Sequence, residues 1–157
     1  MSITVRSTAF DDGQPIPGRH SEDGEDISPE LSWEGLPEGT TELALIVDDP
    51  DAPTAEPWVH WVIYKVPPDI AGLAEGVPYA DTLAAPDGAL QGKNTWGTIG
   101  YRGPAPPKGH GTHHYHFTLY ALDALLEAGP GLDKDGLLAA MKGHVLDQGE
   151  LIGTYER

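Results

Sequence analysis

The sequence predicts a mainly β single domain running from residue 1 to residue 157, and three observations carry that reading. The 20 glycines and 15 prolines are spread along all 157 residues and not gathered into a linker, so they cut the chain into many short segments. Several of those segments are apolar runs or alternations of strand length. Only one segment, near the C-terminal end, carries a convincing helical period. A chain of this size buries roughly two-thirds of the surface its unfolded form exposes, enough for one core.

Taken in order, "ITVRSTAF" (3–10) alternates as a first strand, and "DDGQPIPGRHSEDGEDISPE" (11–30) is an acidic loop rich in turn signals. "LSW" (31–33) is short and strand-like. "ELALIVDD" (42–49) is continuously apolar until its last two residues, as a strand buried on both faces would be, and it delivers Asp48 and Asp49 to the rim of a sheet. "WVHWVIYKV" (58–66) reads as a central strand with Trp58, His60, Val62 and Tyr64 on one face and Val59, Trp61, Ile63 and Lys65 on the other. "HHYHFTLYAL" (113–122) places His113, Tyr115, Phe117 and Leu119 on one face and His114, His116, Thr118 and Tyr120 on the other. "DALLEAG" (123–129) reads as a helical turn or two. "LDKDGLLAAMKGHVLDQG" (132–149) is the helix, with Asp133 as its N-cap, Leu137, Leu138, Met141 and Val145 as its apolar stripe, and Gly149 as its close. "ELIGTYE" then returns as a short final strand.

Twenty-five acidic residues against nine basic ones give a formal charge of −16, which repels nucleic acid and anionic lipid surfaces. There is no cysteine, hence no disulfide framework and no thiol chemistry. The opening "MSITVRSTAF" lacks the basic and apolar regions of a signal peptide, and no stretch approaches the roughly 18 apolar residues of a membrane span, so a cytoplasmic location is expected.

Each chemistry-bearing segment has a plain structural reading of its own. "DPDAP" (49–53) is a turn, His60 a core histidine with a partner, "GPAPPKG" (103–109) a rigid surface loop, and Trp58 and Tyr115 core aromatics. A metal-assisted hydrolase is a sharper rival, because His114-x-His116 points two imidazoles to one side, with His110, His113, Asp49 and Asp51 near in sequence or motif. Against it, His113 and His114 face opposite ways on a strand. A covalent hydrolase would need Asp49, His60 and Thr112 to act as a triad, and the chain has no Gly-x-Ser-x-Gly elbow. The Glu56-Pro57 bond, at a sharp entry into a central strand, is expected to be cis.

Read together, "DGEDISPELSW", "LALIVDDPDAPTAEPWVHW" and "GKNTWGTIGYRGPAPPKGHGTHHYHFTLYALD" make the chain resemble the phosphatidylethanolamine-binding protein family in its bacterial and archaeal, Raf-kinase-inhibitor-like branch. The resemblance implies a large antiparallel sheet packed on a smaller one. It also implies a small pocket for phosphate-like anions and phosphorylated head groups, lined by Asp49, Asp51, Trp58, His60, Gly103, Pro106, Pro107, His113 and Tyr115. Ala105 stands where many relatives carry glycine or cysteine. The chain ends soon after "LIGTYER", so the C-terminal helix that covers the pocket of mammalian members is not expected, and homodimers are common in the branch.

The residues suggest how such a pocket would work. The prolines of "GPAPP" stiffen one wall and leave the Gly103 and Ala105 amides as donors. Asp49 is expected to accept from one ring nitrogen of His60 and so orient it, with His113 and the Tyr115 hydroxyl as further donors. Affinity for an anion would then rise as pH falls toward the unperturbed histidine value of about 6.5. The function expected is binding of a phosphorylated ligand or phosphate-like anion without catalysis, with a regulatory consequence through a protein partner, and with no metal or other cofactor; the alternatives are the metal-assisted hydrolase above and a protein-interaction module whose pocket is vestigial.

Overall fold

The structure is a computed structural model that describes residues 3–157; Met1 and Ser2 of the opening stretch lie outside the described residues. The strands are β1 (Thr4–Arg6), β2 (Leu31–Glu34), β3 (Glu42–Asp49), β4 (Trp58–Val66), β5 (Gly72–Leu73), β6 (Leu90–Gln91), β7 (His113–Leu122) and β8 (Val145–Tyr155), with one α-helix, α1 (Lys134–Met141), before the last. Five of them form a sheet in the order β6-β4-β3-β7-β8, and β1, β2 and β5 form a second in the order β1-β2-β5. Every pairing between named strands is antiparallel. The expected architecture, a large antiparallel sheet against a smaller one, is the one observed.

The continuous apolar run of β3 has a physical reason: this strand sits in the middle of the large sheet and is covered twice. Leu43, Leu45 and Val47 pack toward the small sheet with Trp61, Ile63, Phe117 and Leu119, meeting Leu31, Trp33 and Leu73. Ala44 and Ile46 face the other way, with Val62 and Tyr64, against Leu126, Leu137 and Met141. The helix therefore closes the outer face of the large sheet. Each such side chain contributes about 1.5–3 kcal/mol on burial.

The predicted helix was too long at its C-terminal end. Asp133 does cap it, accepting from the Gly136 amide at 2.8 Å. But α1 stops at Met141, and Gly143 takes a positive φ of 82° to turn the chain back. Val145 and Gly149 belong to β8, which pairs with all of β7. Gly149 is required by strand packing: a Cβ there would lie 2.2 Å from the Ile3 carbonyl oxygen, where β1's approach crosses the sheet. Residues 123–129 form no helix, and the first strand is confined to Thr4–Arg6. The cis peptide is Ala85-Pro86 and not Glu56-Pro57. The reversal into β4 is spread over the turn at residues 50–56, where Thr54 bonds the Ala52 and Glu56 carbonyls, so Pro57 is not asked to make it.

The alternation predicted for β4 also fails, and the failure positions the site. Val47 lies opposite Trp61 while Asp48 lies opposite Val59, so His60 is an extra residue in the ladder, a β-bulge. Beyond it the phase is reversed. Val62 and Tyr64 face the helix layer, whereas the ring of His60 meets Tyr115 edge-on at 5.1 Å on the opposite side, the side of Trp61.

Trp61 itself is anchored by a buried amide. Its Nε1 donates to Gln91 Oε1 at 2.7 Å, and Gln91 Nε2 donates to the Pro78 and Ala80 carbonyls, each at 2.7 Å. Replacing Gln91 by Met would leave one buried donor and two carbonyls unpaired, and should cost about 2–4 kcal/mol. Chemical denaturation measures it; a loss under about 1 kcal/mol would show that the amide network does not hold β4 to the loop between β5 and β6.

Candidate functional site

Because β3 runs against both neighbours, its end and the starts of β4 and β7 share one rim of the large sheet. From β3 the rim receives Asp49, from β4 Trp58 and His60, from β7 His113 and Tyr115. They line a cleft of about 390 Å³ whose other walls are Ala105, Pro106 and Pro107 with Trp96, Glu22 and Arg157. A depression of about 410 Å³ lies between Pro57, Lys93 and the start of α1, but the buried Asp49, His60 and His113 line the first cleft and not this one.

Asp49 and His113 form the buried centre, 3 % and 1 % exposed. His113 Nδ1 lies 2.6 Å from Asp49 Oδ2, so the carboxylate fixes Nδ1 as a donor. The other carboxylate oxygen, Oδ1, accepts the Asp51 amide at 2.8 Å. Each oxygen of Asp49 thus has a partner inside the protein. On the far side of the ring, His113 Nε2 meets Nδ1 of the exposed His110 at 2.6 Å. The Tyr115 hydroxyl is buried beside them with no hydrogen-bond partner. Burial, followed by the charge of Asp49, holds that hydroxyl well above the ordinary tyrosine range, so it remains a proton donor.

The partner expected for Asp49 was His60, and the structure corrects this. His60 Nδ1 donates to the Arg102 carbonyl at 2.7 Å, and the His60 carbonyl accepts the Arg102 amide at 3.0 Å. The bulge brings His60 against this loop, and the edge contact with Tyr115 keeps its ring away from the carboxylate. Burial lowers its pKa to about 4 despite the Arg102 carbonyl and the nearby aspartates. A neutral ring with a proton on Nδ1 presents an acceptor at Nε2, so His60 is not the cationic donor expected for an anion. Any gain of anion affinity with acid in the neutral range must come from another group.

Two more expected lining residues lie elsewhere. Asp51 is exposed at the back of the rim, its Oδ2 accepting from the His114 amide and from His114 Nδ1, each at 2.8 Å. The Gly103 amide is spent on Asp26 Oδ1 at 2.6 Å, and a Cβ on Gly103 would lie 2.0 Å from the His20 carbonyl oxygen, so this glycine lets two loops cross. Trp96, which sequence reasoning passed over, is central: its ring meets Trp58 and His60 edge-on at 5.4 and 5.2 Å, and the Arg102 guanidinium lies 4.9 Å above it. Asn94 shapes that loop, accepting from the Thr98 amide and hydroxyl and donating to the Gly100 carbonyl. The tryptophan in a Gly- and Thr-rich loop was the available signal.

The rival constellations do not assemble. His116 pairs with Glu150 at 3.0 Å and His114 with Asp51, each on the face away from His113, and among the described residues no three His, Asp or Glu side chains gather as metal ligands would. Thr112 bonds Glu156, and with His60 held by a backbone carbonyl the Asp49, His60, Thr112 triad is not formed.

A two-sheet antiparallel fold with a polar, aromatic-walled cleft where three strands of the larger sheet end is the class these features define. The sequence profile of the phosphatidylethanolamine-binding protein family matches residues 6–156, and the chain belongs to that family. It is 53 % identical over 155 residues to a UPF0098 protein of Methanothermobacter thermautotrophicus, covering 99 % of each chain. It is 31 % identical to Escherichia coli YbcL, described as a member of the mammalian family, with a TM-score of 0.93, covering 100 % of this chain and 99 % of that one. It is 41 % identical to a phosphatidylethanolamine-binding protein homologue of Chlamydia trachomatis, with a TM-score of 0.88, covering 99 % of this chain and 98 % of that one. No helix among the described residues is long and apolar enough to cross a membrane.

The neutral state of His60 ties acid stability to the cleft. In the unfolded chain the ring takes a proton near 6.5, in the folded chain only near 4, so the unfolded state binds more protons between these values. Stability is full above 6.5 and falls as pH drops toward 4, by up to about 3 kcal/mol from this residue. His60→Asn keeps a donor for the Arg102 carbonyl and cannot titrate. Denaturation from pH 7 to pH 4 should cost the variant about 2–3 kcal/mol less than the parent; equal losses would show that His60 is not held neutral.

Proposed function

We propose that the cleft binds a phosphate-like anion, either inorganic phosphate or the phosphoryl group of a larger ligand, and holds it without turning it over. The observation that carries this reading is the buried, unpartnered Tyr115 hydroxyl beside a histidine already oriented by a carboxylate. A buried hydroxyl without a partner costs about 1–3 kcal/mol, which a ligand oxygen would recover. Once Asp49 has fixed Nδ1 of His113 as a donor, Nε2 can offer a second proton to an anion, the charge being shared across the Asp49 pair. Trp58, Trp96 and the Pro106-Pro107 wall shape the volume and limit its water.

Binding without catalysis fits the remaining groups, since the Tyr115 hydroxyl is a phenol held protonated, the hydroxyl of the lining residue Thr54 donates to the Glu56 carbonyl, and His60 bonds a backbone carbonyl. The same chemistry would accept a phosphorylated side chain, and through it a partner protein whose docking depends on phosphorylation. That is the regulatory form of the proposal.

His110 occupies the position at His113 Nε2 that a ligand oxygen would take. It stands between Gly109 and Gly111, both at positive φ, on a segment that only glycine accommodates without strain. In a phosphate titration followed by NMR of the histidine rings, His60 and His113 should move together and saturably while His114 and His116 stay put; silence at His60 and His113 refutes the reading. Tyr115→Phe should weaken phosphate about 10- to 100-fold, the worth of a hydrogen bond to a charged group. His110→Ala should strengthen it by about 2- to 10-fold, because the ligand no longer displaces the His110 ring. A His110→Ala protein that binds more weakly would make His110 a ligand contact instead.

A further inference from the structure

The donor and acceptor count of the cleft carries more than a preference for negative charge. Tyr115 offers an O–H, and His113, whose Nδ1 proton is held by Asp49, offers an N–H at Nε2 only in its doubly protonated form, once His110 has moved aside. Each oxygen of Asp49 already has a partner inside the protein, His113 for one and the Asp51 amide for the other. His60 differs from all of these. Its Nδ1 proton is committed to the Arg102 carbonyl at 2.7 Å, so the ring nitrogen left to the cleft, Nε2, bears a lone pair and no proton. The carbonyl of Arg102 cannot donate, which forces this tautomer whenever the ring is neutral. The ring is also pinned against rotation by Trp96 and Tyr115, each edge-on to it. Glu22, an exposed carboxylate at the mouth, adds a second acceptor.

An anion with lone pairs on every oxygen would therefore face a lone pair at His60, with nothing in between. A phosphoryl group that retains one P–OH would instead donate to Nε2 while its other oxygens accept from Tyr115 and His113. We infer that the cleft selects proton-bearing phosphate, meaning hydrogen phosphate or a singly protonated phosphomonoester, over fully deprotonated oxyanions and over phosphodiesters. The inference rests on the anion-binding reading above and narrows it to a ligand class. A phosphodiester headgroup of a lipid has no P–OH and belongs to the disfavoured set, whereas a free phosphomonoester belongs to the favoured one.

The test is a comparison of four anions at pH 6, where a phosphomonoester with a second pKa near 6 is about half protonated. Inorganic phosphate and glycerol phosphate are set against sulfate, similar in shape but without a proton, and dimethyl phosphate, a monoanion without a P–OH. Ring nitrogen NMR of the ligand-free protein should first show His60 protonated on Nδ1 and bare on Nε2. Phosphate and glycerol phosphate should then bind about 100-fold more tightly than sulfate or dimethyl phosphate, as when a buried polar group is left facing a mismatched partner. In His60→Asn, which keeps a donor for Arg102 but places no acceptor where Nε2 stood, that ratio should collapse to a few-fold. A His60 ring protonated on Nε2, comparable affinity for all four anions, or a ratio unchanged in His60→Asn would each overturn the selectivity while leaving anion binding intact. Failure of all four anions to bind would overturn the binding reading and this inference with it.

Discussion

One extra residue in β4 governs the site. If the strand alternated regularly through His60, its ring would lie with Val62 and Tyr64 under the helix, an imidazole in an apolar layer without a partner. The bulge reverses the phase after Val59, so that Trp61 enters the core between the sheets while His60 remains at the rim. The loop after β6 then fits against the bulged residues. Thr95 exchanges hydrogen bonds with Val59, and Arg102 brackets His60 through backbone and ring together. Trp96 reaches the cleft because Asn94 and Thr95 fix the loop that carries it.

The placement of charge follows from the same framework. A carboxylate beside the anion proposed above looks self-defeating, yet each oxygen of Asp49 is engaged inside the protein, one of them by the ring of His113. The carboxylate thereby fixes the orientation of the imidazole, with Nδ1 toward itself and Nε2 outward. His60 does the opposite: it stays neutral and presents an electron pair. The cleft combines one potential cation, one permanently protonated phenol and one acceptor, a set that asks for a partner with both accepting and donating oxygens.

The strands that build this rim were legible because their sequences are physically unambiguous. A run such as "ELALIVDD" has to be covered on two sides, and the alternation in "HHYHFTLYAL" places His113 and Tyr115 together with only local information. The family resemblance supplied the grouping of Asp49, Trp58, His60, Pro106, Pro107, His113 and Tyr115 across distant segments. What stayed hidden was nonlocal. The bulge depends on how β3 and β4 register, so the partner of Asp49 was misassigned. The two-residue strands at Gly72 and Leu90 have no period to read. Val145 and Gly149 continued a helical pattern, while the left-handed turn at Gly143 and the pairing with β7 override it. Asp51 and Gly103 share the motifs of the site but are used by neighbouring backbone.

The guanidinium of Arg157, at the edge of the cleft, is held in a two-pronged grip by Asp23, with contacts of 2.9 and 3.1 Å, and Glu22 stands next to it. The entrance therefore offers the anion proposed above a compensated cation on a chain whose formal charge is −16. Capture and retention are then governed by different physics. The long-range field repels a ligand over distances of about a Debye length, while the short contacts inside are little screened. Added neutral salt would shorten the reach of the field, making ionic strength an accelerator of entry into this cleft, the reverse of the steering seen when charge and ligand are opposite in sign.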